Sequence, residues 1–442
     1  MKRIIITVAA ALACMAASAQ EKTGPWSLKE CVDWALDHNI SIRQSELQTR
    51  QREIDVNTAE GRRLPSLGAS ASQNFSFGRG LTADNTYANT NTTSTGFSLG
   101  TDVTIFNGFQ ITRNIEMSRL NLEAATADLE KAKNDVSLAV AQAYMQVLYK
   151  KEILGVALNQ IQIDSVQVDR IQAMVDNGLA SRADLAAQKA TLAQSRLSGT
   201  QASNSLRLAV LDLTQLLELP SPDGFDVVSP DVDGINGGLI PSPDMIFEEA
   251  LDVMPAIRAE QLRLDYASTN IALAKGGYYP SLSLSGGLGT NYYTSSGYPS
   301  AKFFDQVQNN FSQYVGLSMS IPIFNRYSTR NQVRSAQVSF ANQELQLENA
   351  RKSLYKEIQQ VYYNAVASSE KLQSSALVLS SAEEAFELAR EKYENGKAGI
   401  TEFNEAKARY ISASSDELQA KYEHLYQTAL VNFYRGKELF AR

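Results

Sequence analysis

Residues 66–77 read SLGASASQNFSF, and residues 281–292 read SLSLSGGLGTNY. In both stretches apolar residues alternate with small polar ones, so a strand here carries one apolar face and one face of serine, glycine and asparagine. The same period of two recurs in residues 96–105 and 314–321. Each stretch has about ten residues, the length of a tilted strand that crosses the apolar core of a bilayer. The chain is therefore predicted to contain four strands of the membrane-barrel type.

The two faces of these strands predict different surroundings. Their leucines and serines fall on opposite sides: Leu99, Leu284 and Leu317 against Ser98, Ser285 and Ser318. A polar face with few charges suits a water-filled lumen, and an apolar face suits lipid. Two ordinary half-buried hairpins are the alternative, but they leave the long polar loops predicted at 78–95 and 294–311 unexplained. Four strands cannot close a barrel, so several copies are expected to share one.

The chain contains an internal duplication. Matching segments lie 215 residues apart in its earlier part and 218 apart further on: ALD at 35–37 and 250–252, PSL at 65–67 and 280–282, FN at 106–107 and 324–325, NG at 177–178 and 395–396. The sequence thus predicts two structural repeats, residues 20–219 and 244–442. Residues 220–243, rich in proline and glycine, are predicted to be a linker.

Long helices are predicted to follow the strands in each repeat. A seven-residue apolar row runs through both: Val140, Val147, Leu154, Ile161, Val168 and Val175, then Ile358, Ala365, Leu372, Leu379, Phe386 and Tyr393. This period predicts left-handed coiled-coil packing, although a long bundle helix explains the row as well. One helix from residue 108 to 176 would be about 100 Å long. Pro65 and Pro280 are expected to end the helices that precede the strands.

The N-terminus predicts export. Lys2 and Arg3 precede an apolar stretch, and Ala17-Ser18-Ala19 offers a cleavage site, so residues 1–19 are predicted to be a signal peptide. Lipidation of Cys14 is the alternative, but the residues before it fit that pattern poorly. Cleavage leaves Cys31 as the one cysteine, which excludes an intrachain disulfide and favours a buried apolar role.

The composition argues against catalysis and against nucleic-acid binding. The formal net charge is −7, and an acidic chain binds nucleic acid poorly. The two histidines, His38 and His424, lie far apart, and the carboxylates are scattered without metal-ligand spacing. The sequence predicts neither an enzyme nor a cofactor or metal site.

Over essentially the whole mature chain, the sequence resembles the TolC-like outer membrane efflux protein family. The resemblance rests on the duplication, the segment LKECVDWAL at 28–36, the two PSL joints, IFN at 323–325, and signatures that begin at Gly178 and Gly396. It implies a mainly α fold in which three chains form an α-helical tunnel joined to a twelve-stranded transmembrane β-barrel, with four strands per chain.

The resemblance also implies a function and a location. Such a homotrimer sits in the lipid of the outer membrane, extends into the periplasm and passively conducts substrates for a tripartite efflux pump or a type I secretion system. Its partners would be a periplasmic adaptor and an inner-membrane transporter whose type stays open. The alternative is a periplasmic coiled-coil adaptor or structural protein that spans no membrane, but it leaves the four strands unexplained.

Site residues follow from the resemblance at the helix tips. It implies a periplasmic constriction formed by Asp184, Tyr393, Glu402 and Glu405, and adaptor contacts at Gly178, Leu179, Gly396 and Lys397. From the residues alone, the two Asn-Gly pairs predict helix C-caps, and Glu402 with Glu405 could equally form a solvated helix face. The family's locking arginine would fall at Ala398, and Lys397 is a possible substitute.

Overall fold

A computed structural model describes residues 24–81, 85–229 and 240–437. The predicted signal peptide, Cys14 and residues 230–239 of the predicted linker lie outside these ranges.

The two repeats contain corresponding helices. The first repeat contains α1 (Leu28–His38), α2 (Ile40–Gly61), β1 (Ser66–Leu81), β2 (Tyr87–Asn107), α3 (Gln110–Asp176) and α4 (Arg182–Leu216). The second contains α5 (Pro243–Val253), α6 (Pro255–Gly276), β3 (Ser281–Ser295), α7 (Phe303–Asn309), β4 (Ser312–Ser320), α8 (Ser328–Glu394) and α9 (Ile400–Tyr434). Corresponding helices have 11, 22, 67 and 35 residues in both repeats, so the duplication in the sequence is also a duplication of helices.

Local chemistry sets the helix ends. Ser27 and Glu30 form a capping box at the start of α1, and Asn39 separates α1 from α2 in an extended conformation. Helices α2 and α6 end at Gly61 and Gly276, each before its PSL joint. None of the helices in the described ranges is long and apolar enough to cross a membrane.

The four strands form one antiparallel sheet in the order β1-β2-β3-β4. Its register places apolar residues opposite each other in the middle of the sheet: Leu99 pairs with Ala69 and Leu288, and Leu284 pairs with Val103 and Leu317. Ser98 pairs with Ser70, and Ser285 pairs with Asp102, on the other face. The segregation of apolar and polar residues therefore extends across all four strands.

The loops differ from the prediction. Strand β1 continues to Leu81 and β2 begins at Tyr87, so the loop predicted at 78–95 is wrong. The reason is that the threonine-rich run at 90–95 has high β propensity and pairs with residues 73–78 across the hairpin. The region predicted as a second loop contains α7. A bulge also interrupts the predicted alternation at Ile105, because Phe106 pairs with Leu282 in its place.

The chain divides into two compact units. The helical unit comprises residues up to 43, 132–250 and 357 onward, and the strand-bearing unit comprises residues 44–131 and 251–356. The core of the helical unit centres on Tyr144, whose hydroxyl donates to the carbonyl oxygens of Trp26 at 3.0 Å and Val228 at 2.5 Å. Burial raises the pKa of this hydroxyl. Cys31 is fully buried in the same core, as predicted.

Candidate functional site at the helix tips

The long helices form two helical hairpins, α3–α4 and α8–α9, and each turns at an Asn-Gly pair. Gly178 and Gly396 have φ values of +74° and +71°, a left-handed conformation that glycine adopts without steric cost. After α3, the amide of Leu179 donates to Met174 O at 2.8 Å and that of Gly178 to Val175 O at 3.0 Å. These two bonds define a Schellman motif. The amides of Lys397 and Gly396 donate in the same way after α8.

The predicted adaptor-contacting residues therefore occupy two equivalent turns. Leu179 is 74% exposed, and Lys397 is exposed at the matching position of the second turn. Exposure of a leucine at a glycine-capped turn provides a small apolar surface without a partner in the described chain.

Asp184 caps the helix that follows the first turn. Its carboxylate accepts hydrogen bonds from the backbone amide of Ser181 at 3.1 Å and from the Ser181 hydroxyl at 2.7 Å. In return, the Ser181 hydroxyl accepts from the amide of Asp184 at 3.0 Å. The hydrogen bonds from Ser181 lower the pKa of Asp184. A capping box thus accounts for the side-chain contacts of Asp184, which are made within its own hairpin.

Tyr393 lies where the two hairpins meet inside the helical unit. Its ring stacks on Phe403 with 5.2 Å between the ring centroids. The guanidinium of Arg170, on α3, lies 5.2 Å from the centre of the Tyr393 ring and donates to Glu394 O at 3.2 Å. An arginine therefore bridges α3 to the end of α8, although it comes from α3 and not from the α8–α9 turn in which Ala398 lies.

Glu402 and Glu405 lie on one exposed side of α9, while Phe403 between them is only 3% exposed. The Glu402 carboxylate lies 3.9 Å from the Lys392 ammonium, a distance typical of a loose surface ion pair. Tyr393 and Glu402 thus share one neighbourhood at the α8–α9 turn. Asp184 belongs to the other turn, where its hydrogen bonds are with Ser181 and not with these residues.

A buried ion pair that the sequence did not predict joins the two hairpins. Lys407 on α9 donates to Asp164 on α3 at 2.5 Å, with side-chain exposures of 5% and 0%. The same carboxylate accepts from the Ser195 hydroxyl at 2.5 Å and from the Gln160 amide at 2.7 Å. Several donors therefore replace the water that Asp164 loses on burial.

A signal for this pair existed in the sequence. Asp164 lies three residues after Ile161, so it occupies the second core position of the heptad that begins there. A carboxylate at a heptad core position requires a buried partner. The repeat pattern does not identify Lys407 as this partner. Its equivalent in the first repeat is Lys189, and the two lysines differ in burial because Lys189 is exposed.

Within the described ranges, no group of three or more histidine, cysteine or acidic side chains could hold a metal ion. The arrangement at the tips provides carboxylates, aromatic rings and cation-π contacts, which can restrict or attract ions but contain no nucleophile paired with a base.

Comparison with known proteins identifies related chains. A sequence profile of the family described as Outer membrane efflux protein matches residues 32–218 and 246–435. Outer membrane protein TolC of Escherichia coli is 24% identical over 399 residues, which cover 88% of this chain and 77% of TolC. Protein CyaE of Bordetella pertussis is 24% identical over 415 residues, which cover 91% and 81% of the two chains.

A solved structure shows the same fold. The Campylobacter jejuni CmeC outer membrane channel superimposes with a TM-score of 0.77 at 19% identity, covering 94% of this chain and 87% of CmeC. The predicted fold class, long helices combined with four barrel-type strands per chain, is confirmed.

Proposed function

The chain belongs to the outer membrane efflux protein family, and we propose that it is the channel subunit of a tripartite efflux pump or of a type I secretion system. The protein lies in the outer membrane and extends into the periplasm. In this proposal three copies close one barrel, and substrates pass through it and the helical tunnel without chemical change. A periplasmic adaptor contacts the exposed turns at Leu179 and Lys397, and an inner-membrane transporter supplies the energy.

The open sheet carries this proposal. Strands β1 and β4 are its edges, and neither edge pairs with another described strand. The apolar face is uncovered: Leu67 is 75% exposed, Val315 82% and Leu317 65%. A sheet with an apolar face of this extent and two open edges is unstable in water. The apolar face associates with other apolar surfaces, and the unpaired edges pair with other strands. In a shared barrel, lipid covers the apolar face, and strands of neighbouring copies pair with the two edges.

The competing function, a periplasmic coiled-coil protein, uses the helices equally well but leaves this face exposed to water. Outer-membrane fractionation separates the two proposals. A channel subunit should sediment with outer membranes and require detergent for extraction, whereas a periplasmic adaptor should appear in the soluble periplasmic fraction.

Cysteine labelling tests the orientation of the strands. Single cysteines are placed at the three leucines and three serines of opposite faces, Leu99, Leu284, Leu317, Ser98, Ser285 and Ser318, in a Cys31→Ala background. In proteoliposomes a membrane-impermeant thiol reagent should label the serine positions and spare the leucine positions, since lipid covers one face and water the other. Equal labelling of both sets would show that the faces are assigned wrongly.

We also propose that Glu402 and Glu405 line the periplasmic constriction, three pairs around one axis. A ring of carboxylates concentrates cations, so the double variant Glu402→Gln with Glu405→Gln should lose cation selectivity in planar-bilayer recordings. Block by divalent or trivalent cations should weaken by about tenfold or more.

The matched control is Glu46→Gln with Glu53→Gln, which neutralises two exposed carboxylates on α2. This control should retain the selectivity of the wild type. If the Glu402 and Glu405 variant behaves like the control, these two glutamates form a solvated helix face and do not line the pore.

The same proposal assigns the restraint of the entrance to contacts between the hairpins. Arg170 contacts the Tyr393 ring and donates to Glu394 O, and Asp164 forms an ion pair with Lys407. Both contacts therefore join α3 to the second hairpin. In this proposal Arg170 supplies the arginine that the resemblance assigned to the position of Ala398, because it contacts Tyr393 and Glu394 from α3.

A further inference from the structure

We propose that the helix ends bordering the sheet form a binding surface for anionic phospholipid of the periplasmic leaflet. This surface, the junction belt, consists of residues 59–65, 108–119, 274–280 and 321–334, all within the strand-bearing unit. The inference rests on the proposed placement of the sheet in the membrane, and it adds a lipid class and a binding surface to it.

The junction belt is strongly basic in an acidic chain. It contains eight basic residues and two acidic ones, whereas the whole chain has a net charge of −7. The basic residues are Arg62, Arg63, Arg113, Arg119, Lys275, Arg326, Arg330 and Arg334. Arg113 pairs with Glu116 and Arg119 with Glu60. None of the other six forms an ion pair with a described residue, so their charge is available to an external anion.

The opposite end of the sheet has a different charge balance. The second hairpin connection, residues 296–311, contains one lysine and one aspartate, Lys302 and Asp305. The excess of positive charge is therefore concentrated where strands meet helices. In the proposed orientation this end lies at the periplasmic leaflet, where the lipid headgroups are.

The first turns of α8 show how the charges are presented. Thr329 and Ala336 are each 4% exposed and form the packed side of the helix. Arg330 and Arg334 lie four residues apart on the exposed side. The Arg330 guanidinium lies 5.8 Å from the centre of the Tyr327 ring, so a cation and an aromatic face are held together at the surface.

Aromatic and aliphatic side chains occupy the same belt. Ile323 is 94% exposed and Phe324 72%, and Phe324 packs edge-on against Tyr327 with 5.5 Å between ring centroids. Phe109 and Tyr279 are 61% and 55% exposed at the other junctions. Aromatic rings beside arginines are characteristic of protein surfaces at the level of lipid headgroups, where the rings contact acyl chains and the cations contact phosphate.

The backbone fixes these side chains. Arg326 and Tyr327 have φ values of +56° and +61°, and Phe109 has +64° at the matching junction of the first repeat. Such conformations are costly for residues other than glycine and persist only where the surroundings enforce them. The rings and guanidinium groups are thus presented on a defined turn, which favours recognition of a headgroup over a diffuse charge effect.

The chemistry selects anionic lipid over zwitterionic lipid. A guanidinium can donate two parallel hydrogen bonds to a phosphate. A zwitterionic headgroup also carries a cation, which six unpaired basic residues with few neighbouring carboxylates would repel. An additional negative charge on the lipid removes that repulsion, and each arginine near an anionic surface contributes about a fivefold gain in affinity.

Native mass spectrometry of the full-length protein tests the inference. The protein in neutral detergent receives equimolar phosphatidylglycerol and phosphatidylcholine with identical acyl chains, and bound lipids are counted. Wild type should retain phosphatidylglycerol preferentially. Arg330→Gln with Arg334→Gln should reduce that preference by roughly twentyfold, because two arginines are lost. Arg196→Gln with Arg207→Gln, which removes two exposed arginines of α4, should leave it unchanged.

Each remaining outcome decides the matter. Equal retention of both lipids by wild type, or an unchanged preference in the Arg330 and Arg334 variant, overturns the inference. Displacement of the bound lipid by inorganic phosphate would also overturn it, since the belt would then bind a free anion. Planar-bilayer conductance of the wild type separates this inference from the proposed function. A wild type that conducts without lipid preference refutes the lipid surface alone, and a wild type that never forms channels refutes the channel.

Discussion

Replacement of Lys407 with methionine should destabilise the helical unit by about 3 to 5 kcal/mol, because the Asp164 carboxylate would remain buried without its cation. Lys407 lies 2.5 Å from Asp164, and the exposed fractions of the two side chains are 5% and 0%. Neither group can reach bulk water when the other is removed. Urea unfolding followed by circular dichroism at the helical wavelength, on detergent-solubilised protein, measures the loss.

Two further variants show whether burial is the cause. Lys371→Met removes the cation of an exposed pair with Glu423, 2.8 Å apart, and should cost less than about 1 kcal/mol. Asp164→Leu combined with Lys407→Met removes both buried charges and should recover most of the loss. If Lys407→Met costs no more than Lys371→Met, the two hairpins are not held by this pair, and its part in restraining the entrance fails with it.

The second large effect is expected at Gly108, where β2 turns into α3. Its φ is +66°, and a Cβ placed there would lie 2.2 Å from the carbonyl oxygen of Gly276 and 2.9 Å from Tyr279 Cβ. A backbone oxygen cannot move away as a flexible side chain can. Gly108→Ala should therefore destabilise the strand-bearing unit by about 3 kcal/mol or more, through both strain and overpacking.

Gly178 provides the matched control, since its φ of +74° is similar but no described atom beyond its own residue and its two chain neighbours lies within 4 Å of its Cβ position. Gly178→Ala should lower the free energy of unfolding by only about 1 kcal/mol, the cost of placing alanine in a left-handed conformation. The yield of folded, detergent-resistant protein and its urea midpoint measure both variants. Equal losses for the two would mean that the close approach of the α6 end to the β2 end does not constrain the fold.

Much of the fold was predictable because its signals are local and repeated. The alternation at 66–77 and 281–292 depends on the two-residue period of a strand, which a short window detects. The duplication then places the equivalent helices without further information, as the matched lengths of α3 and α8 show. The loop at 78–95 was predicted wrongly because polar threonines at 90–95 resemble a loop by composition, whereas β-branched side chains favour a strand.

The candidate site was less predictable, because it depends on contacts between distant residues. Asp164 and Lys407 are separated by 243 positions, and no local pattern connects them. Arg170 approaches Tyr393 from another hairpin, so its role cannot be inferred from the tip sequence. The glycine caps were predictable by contrast, since Asn177-Gly178 and Asn395-Gly396 act on their own helix ends.

The number of chains in the assembled particle tests the central proposal most directly. A sheet of four strands with two open edges requires further copies to close a barrel, and three copies yield the twelve strands of the proposed barrel. Native mass spectrometry of the mature protein in a non-denaturing detergent should give one species of three chains. A monodisperse monomer under those conditions would contradict the shared barrel, and with it the channel.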